Sequence, residues 1–130
     1  MIILDTHILT WWAHGDKRLK KKQAEAIKAN EENIIGVSII TCWEIAKLVE
    51  YNRLTLPVPI KEWCEQVLTY PGIRLLEFTP EIVIESTQVP GEFHRDPADQ
   101  LIVATARIYN CPLVTSDHKI LKYKFVNTIA

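Results

Sequence analysis

Several familiar chemistries lack their raw material in this sequence. The three cysteines, Cys42, Cys64 and Cys111, are scattered, odd in number and never paired as C-x-x-C. That pattern supports neither a disulfide framework nor a zinc knuckle, and it reads as reduced, partly buried thiols. The four histidines, His7, His14, His94 and His118, lack metal-ligand spacing and read as surface or local hydrogen-bonding groups. Of these, His94 and His118 lie near acidic residues in sequence, where a substrate contact is open to them. No apolar run is long enough to cross a bilayer, and the short apolar start meets Asp5 too soon for a secretory signal. The expectation is a cytoplasmic protein with no membrane partner. A net charge of −1 provides no global cationic field to draw in nucleic acid. The one concentrated basic stretch, Lys17, Arg18, Lys20, Lys21 and Lys22, reads as a solvated helix face. Repeats, low-complexity tracts and linkers are missing as well. The 130 residues therefore suit one compact domain, 1–130, large enough to bury a core.

What is present is an alternation of short apolar segments with helical patterns. Ile2 to Leu4, Ile34 to Val37, Ile73 to Phe78 and Leu113 to Thr115 read as buried strands, with Phe125 to Ile129 as a last one. Helices are expected over Thr6 to Ala13, Leu19 to Ala29, from Ser38 as N-cap to Tyr51, and over Ile60 to Thr69. Thr79 with Pro80, and Asp96 with Pro97, have the arrangement of an N-cap followed by proline at the first helical position. Gln88 to Arg95 reads as a loop. Strands alternating with helices imply an α/β fold, a three-layer α/β/α domain around a mostly parallel sheet. In such folds the carboxyl ends of the strands form the site-bearing edge.

Carboxylates gather at that edge. Asp5 ends the first strand, Asp117 follows the fourth, Asp96 and Asp99 open the long helix, and Glu44 lies in the helix after the second strand. Each also has a local structural explanation. Asp5, Asp96 and Asp117 are natural N-caps, Asp99 suits the helix dipole, and Glu44 has the spacing to pair with Lys47 on an exposed stripe. Around Glu44 the helix is apolar almost all round, through Ile39, Ile40, Trp43, Ile45, Ala46, Leu48 and Val49, so it is expected to be largely buried. If its narrow polar stripe faces the strand ends, Glu44 joins Asp5, Asp99 and Asp117. Clustered carboxylates raise one another's pKa, and a hard divalent cation such as Mg²⁺ or Mn²⁺ relieves the repulsion.

Four segments in order, MIILDTHILTWW, SIITCWEIAKL leading into RLTLP, HRDPADQLIVATA and LVTSD, make the whole chain resemble the PIN-domain family, especially its VapC-type toxins. The resemblance implies that Asp5, Glu44, Asp99 and Asp117 form the family's acidic quartet. It implies metal ligation by Asp5, Asp99 and Asp117, with Asp96 as a ligand or a support to one. Thr6, Thr115 and Ser116 match positions whose hydroxyls support the acids. The implied activity is an endoribonuclease using Mg²⁺ or Mn²⁺, a homodimer inhibited by a cognate antitoxin. The expected reaction is in-line attack of water on the phosphodiester, leaving 5′-phosphate and 3′-hydroxyl ends, with no His or Lys as general base. Gln100, where arginine is common, and Cys42, where a small hydroxyl residue is common, depart from the pattern without removing a proposed ligand.

Two other enzyme classes fit less well. A phosphoaspartate receiver needs paired acids after its first strand, and here Asp5 stands alone. A dehalogenase-type phosphatase needs an aspartate where His7 stands. A catalytically inactive PIN-like domain that binds RNA or protein is the alternative of a different kind, and the full set of acids weighs against it. Trp11, Trp12, Trp43 and Trp63 read as core or interface, and Arg95 and Arg107 as surface residues within reach of a phosphate role.

Overall fold

The computed structural model describes residues 1–130. Five strands, β1 (Ile2–Leu4), β2 (Ile35–Ser38), β3 (Ile73–Leu76), β4 (Leu113–Val114) and β5 (Thr128–Ile129), form one sheet in the order β3-β2-β1-β4-β5. Every pairing is parallel. The helices are α1 (Thr6–His14), α2 (Lys21–Ala29), α3 (Ile39–Glu50), α4 (Ile60–Leu68), α5 (Pro80–Ser86), α6 (Pro97–Tyr109) and α7 (His118–Leu121). None is long and apolar enough to cross a membrane.

The strands' side chains sort onto two faces, as strand geometry demands. Ile2, Leu4, Ile35, Val37 and Val114 join Ile8, Leu9, Ile27, Ile45 and Trp63 from α1 to α4 in one core. Ile3, Leu76 and Leu113 join Ile102, Val103 and Ala106 of α6 and Ile120 of α7 in the other. The expected three layers follow directly. Each of these fully buried aliphatic side chains contributes about 1.5–3 kcal/mol by leaving water. Gly36 permits the close approach on the second face, because a Cβ there would meet Leu76 Cδ1 at 2.7 Å.

Caps set the helix boundaries. Ser38 Oγ accepts from Ile40 N–H at 3.2 Å to start α3, and Thr79 Oγ1 accepts from Ile82 N–H at 3.2 Å to start α5. Asp96 caps α6, Pro97 takes its first position, and Asn110 closes it in the left-handed region at φ 49°. Several ends depart from the sequence reading: β3 stops at Leu76 rather than Phe78, β4 at Val114 rather than Thr115, and β2 is shifted by one residue. Helix α2 starts at Lys21 rather than Leu19, because Gln23 Oε1 accepts from Lys20 N–H at 3.0 Å and fixes the start there. Strand β5 is confined to Thr128–Ile129, because only Leu113 and Val114 are there to pair with it.

The chain runs from β1 outward to β2 and β3, then crosses back to β4 on the other side of β1. The boundary between β1 and β4 is therefore the topological switch point, where parallel sheets open a crevice at the strands' carboxyl ends. Gly72 aligns the outer strand: its carbonyl accepts from Ile35 N–H at 2.8 Å. Its φ of +87° is unfavourable to any other residue, and an added Cβ would meet the Glu31 carbonyl oxygen at 2.6 Å. Gly72→Ala is expected to cost more than about 1 kcal/mol, read as a lower urea midpoint at unchanged slope.

Candidate functional site

Asp5 follows β1 directly, Thr115, Ser116 and Asp117 follow β4, and Ser38 ends β2 and launches α3 with Glu44. All of these lie at the carboxyl edge of the sheet. Helix α6 directs Asp96 and Asp99 toward the same edge, and the electrostatics of Asp99 show the convergence: Asp96, Asp5, Asp117 and Glu44 all act on it. All five acids proposed from the sequence thus share one region.

Hydroxyl groups organise them. Thr115 Oγ1 donates to Asp5 Oδ2 at 2.7 Å and accepts from Asp117 N–H at 3.0 Å, so one buried side chain joins the two acids across the switch point. Asp5 Oδ1 accepts from Thr6 N–H at 2.8 Å, capping α1 while its other oxygen is held by Thr115. Thr6 Oγ1 donates to Glu44 Oε1 at 2.6 Å and lies 3.1 Å from Thr41 Oγ1. A hydroxyl carries a single proton. With that of Thr6 committed to Glu44, Thr41 must donate to Thr6, giving a directed relay from Thr41 through Thr6 to Glu44. Ser116 Oγ accepts from the side-chain amide of the fully buried Gln23 at 2.8 Å. Thr6 and Thr115 thus bond the acids themselves, whereas the Ser116 hydroxyl bonds Gln23 and no acid.

Capping and clustering coexist. Asp96 accepts from Ala98 and Asp99 N–H, and Asp117 from Lys119 and Ile120 N–H. Glu44 does not pair with Lys47, which lies 3.0 Å from Glu50 instead. Asp99 is the exception among the five, because its carboxylate accepts no hydrogen bond. His94 Nε2 stands 3.0 Å from Asp99 Oδ2, but without hydrogen-bond geometry, and Nε2 has no other partner.

The charges follow the geometry. Burial pushes the Asp5 carboxyl above the usual range, opposed by its bonds from Thr115 and Thr6. Glu44 is raised mainly by burial, against the Thr6 bond. Asp99 is pushed up to about 7, first by burial and then by Asp96, Asp5, Asp117 and Glu44. Lacking a hydrogen bond to its charged form, it takes up the electrostatic stress of the whole cluster.

An all-oxygen donor set with this repulsion has the chemistry of a hard divalent-cation site. As they stand, however, no three of the chain's His, Cys, Asp and Glu side chains converge closely enough to hold an ion. The capping bonds keep Asp96 and Asp117 turned to their own helices.

Three features escape a sequence reading. Thr41 stands on the same stripe as Glu44, but nothing in its spacing shows that it feeds Thr6. Gln23 has a signal as the third-position acceptor of a helix start, but not its reach to Ser116. Gln100, where arginine is common, donates from Nε2 to the His94 carbonyl at 3.1 Å and ties the loop before α6 to that helix. Other expectations need correction. Helix α3 is not largely buried: only Thr41 and Ile45 are, and Trp43 is 55% exposed, because neighbouring helices leave its outer apolar face uncovered. Arg107 is held by Glu85 Oε1 at 2.9 Å and by the Phe125 carbonyl, so its guanidinium serves packing within the chain.

The arrangement can be compared with known proteins. The model of the PIN domain matches residues 2–126. The chain belongs to the PIN-domain family. It is 32% identical to Ribonuclease VapC22 of Mycobacterium tuberculosis over 123 residues, covering 95% of this chain and 92% of the relative. The PIN fold of this chain also matches VapBC2 from Rickettsia felis bound to a DNA fragment from its promoter, with a TM-score of 0.70, 17% identity, and coverage of 99% and 98% of the two chains. A third PIN-fold match is FitAcB from Neisseria gonorrhoeae, with a TM-score of 0.68, 20% identity, and coverage of 100% and 97%.

The raised acids give a signed prediction for the metal-free PIN domain. Folded Asp99 keeps its proton until about pH 7, whereas the unfolded chain releases it near 3.8. The folded state then binds more protons between those values, and the Asp99 contribution to stability is lost as pH rises through that window. Asp5 and Glu44 act in the same direction. Melting temperature should be less pH-dependent across the window in Asp99→Asn than in the unaltered protein. Added Mg²⁺ should raise the unaltered protein's melting temperature at neutral pH.

Proposed function

We propose that this PIN domain is an endoribonuclease dependent on Mg²⁺ or Mn²⁺, serving as the toxin of a toxin–antitoxin pair. The observation that carries the reading is the convergence of Asp5, Glu44, Asp96, Asp99 and Asp117 at the switch point, organised by Thr6, Thr41 and Thr115. Its likeness to a relative named a ribonuclease supports RNA as the substrate.

Asp5, Asp99 and Asp117 would hold the cation, Asp96 would ligate or support it, and Glu44 would complete the acidic quartet. A divalent ion bound there supplies Lewis acidity toward a phosphoryl oxygen and lowers the pKa of water at the site. The chain's own residues do the positioning. Thr115 fixes Asp5 Oδ2 and the backbone of Asp117 together. The Thr41–Thr6 relay holds Glu44 Oε1. Asp99, pushed up to about 7 by burial and the surrounding acids, is a carboxylate whose proton a cation would displace. Ser116, held by Gln23, keeps the loop after β4 in place.

The antitoxin belongs to the same reading. A groove of about 620 Å³ lies between α3 and the start of α6, lined by Ile39, Ile40, Trp43 and Phe78 together with Glu44 and Asp96. A polypeptide seated there would cover apolar surface and acids together, and structural neighbours described as VapBC and toxin–antitoxin complexes support such a partner. Pairing of two copies would bury Val83 and Ile84 on α5, which are 44% and 55% exposed. Action on RNA makes the cytoplasm the expected place of work. A non-catalytic binding domain would have no need of a complete acidic set.

Purified protein should cleave RNA in Mg²⁺ and leave 5′-phosphate ends. Excess EDTA, Asp5→Asn and Asp99→Asn should each reduce cleavage by about a hundredfold or more, in line with the several kcal/mol that a catalytic metal contributes. Equal cleavage in EDTA would end the proposal. Induced expression should arrest growth, and co-expression of the adjacent small reading frame should relieve it.

A further inference from the structure

Beyond the acids, a second groove of about 560 Å³ runs along α7 and the loop before α6. Three lysines line it: Lys119, Lys122 and Lys124. None of them makes an ion pair, although Glu92 lines the same groove. No acidic residue follows Asp117 in the chain, so this end of a nearly neutral protein is locally cationic.

Aromatic rings form the groove's other feature. His94, Phe93, Tyr123 and Phe125 follow one another with centroid separations of 4.4, 4.8 and 5.7 Å. Tyr123 is buried and anchored by its hydroxyl to the Pro90 carbonyl, so it serves as the support. Phe125 is 40% exposed, with Lys124 Nζ over its ring 5.5 Å from the centroid, which pairs an aromatic ring with a cation at the groove's edge.

The groove is joined to the acidic site at two points. His94 lines it while standing 3.0 Å from Asp99. Asp117 caps α7 by accepting from Lys119 N–H at 2.8 Å, which fixes the backbone bearing the lysines relative to that acid. Lysines along a channel with an exposed aromatic ring are the combination that holds single-stranded nucleic acid, through phosphates and base stacking.

We infer that this groove is a binding subsite for the single-stranded RNA flanking the scissile phosphate, with Lys119, Lys122 and Lys124 facing phosphates and Phe125 stacking on a base. This rests on the ribonuclease reading for the identity of the strand. The subsite places attraction for the polyanion beside, rather than within, a carboxylate cluster that would repel it.

The test is fluorescence anisotropy of a labelled single-stranded RNA oligonucleotide in EDTA across a salt series, paired with cleavage kinetics in Mg²⁺. Replacing all three lysines by glutamine should weaken binding by about tenfold or more. It should also make the slope of log affinity against log salt shallower by about two, the value for three phosphate contacts on a single strand. The triple arginine variant should restore both, and Phe125→Ala should weaken binding roughly tenfold with the slope unchanged. The exposed lysine substitutions should leave the melting temperature unaltered.

Unchanged affinity and slope in the triple glutamine variant would overturn the inference, as would no RNA binding by the unaltered protein. RNA binding retained in that variant alongside lost binding of polyglutamate would assign the groove to an acidic polypeptide and also overturn it. Binding through these lysines with no cleavage in Mg²⁺ would leave the subsite standing and remove the nuclease reading instead.

Discussion

Carboxylates drawn into one crevice repel one another, and the local architecture around this site is organised to hold them in spite of that. Four of the five are pinned by donors. Thr6 and Thr115 hold Asp5, Thr6 holds Glu44, and the first turns of α6 and α7 hold Asp96 and Asp117. Asp99 has no donor, and its affinity for a proton rises to about neutral pH. Hydrogen bonds thus hold four of the five, while burial and mutual repulsion raise the proton affinity of Asp5, Glu44 and Asp99. Protons on the raised acids relieve part of the repulsion, while the capping bonds of Asp96 and Asp117 keep those two carboxylates turned to their own helices.

The fold makes this economical in residues. Parallel strands place their carboxyl ends together, and the reversal of direction between β1 and β4 leaves a gap there. The same short loops that cap helices then also bear the acids. Capping and site roles are not rival explanations of Asp5, Asp96 and Asp117. The side chain has two oxygens, and in Asp5 one caps α1 while the other receives the Thr115 hydroxyl. Around this core of negative charge lie two surfaces of different character. The apolar groove beside Trp43 suits a polypeptide, and the lysine-lined groove along α7 suits a polyanion. Both border the acids, so occupancy of either has direct access to the candidate chemistry.

Much of this was legible before any coordinates. The short apolar run from Ile2 to Leu4, the caps at Ser38, Thr79 and Asp96, and the strand–helix alternation are local signals, and the corresponding elements formed. Errors arose where a distant partner decided the outcome. Helix α3 reads as buried from its composition, but composition cannot say whether a neighbour covers each face, and none covers Trp43. Arg107 reads as a surface residue within reach of a phosphate role until Glu85, far away in sequence, is found beside it.

The sequence by itself determined the strand and helix order and the helix starts capped by Ser38, Thr79 and Asp96, because capping and periodicity act over a few residues. Only the tertiary structure decided that Thr115 links Asp5 to Asp117, that Thr41 feeds Thr6 and hence Glu44, and that Asp99 lacks a donor. Those facts depend on side chains brought together across the sheet edge from residues up to 110 positions apart. Hydrogen-bond direction and desolvation are properties of that assembled neighbourhood, and no local pattern in the chain encodes them.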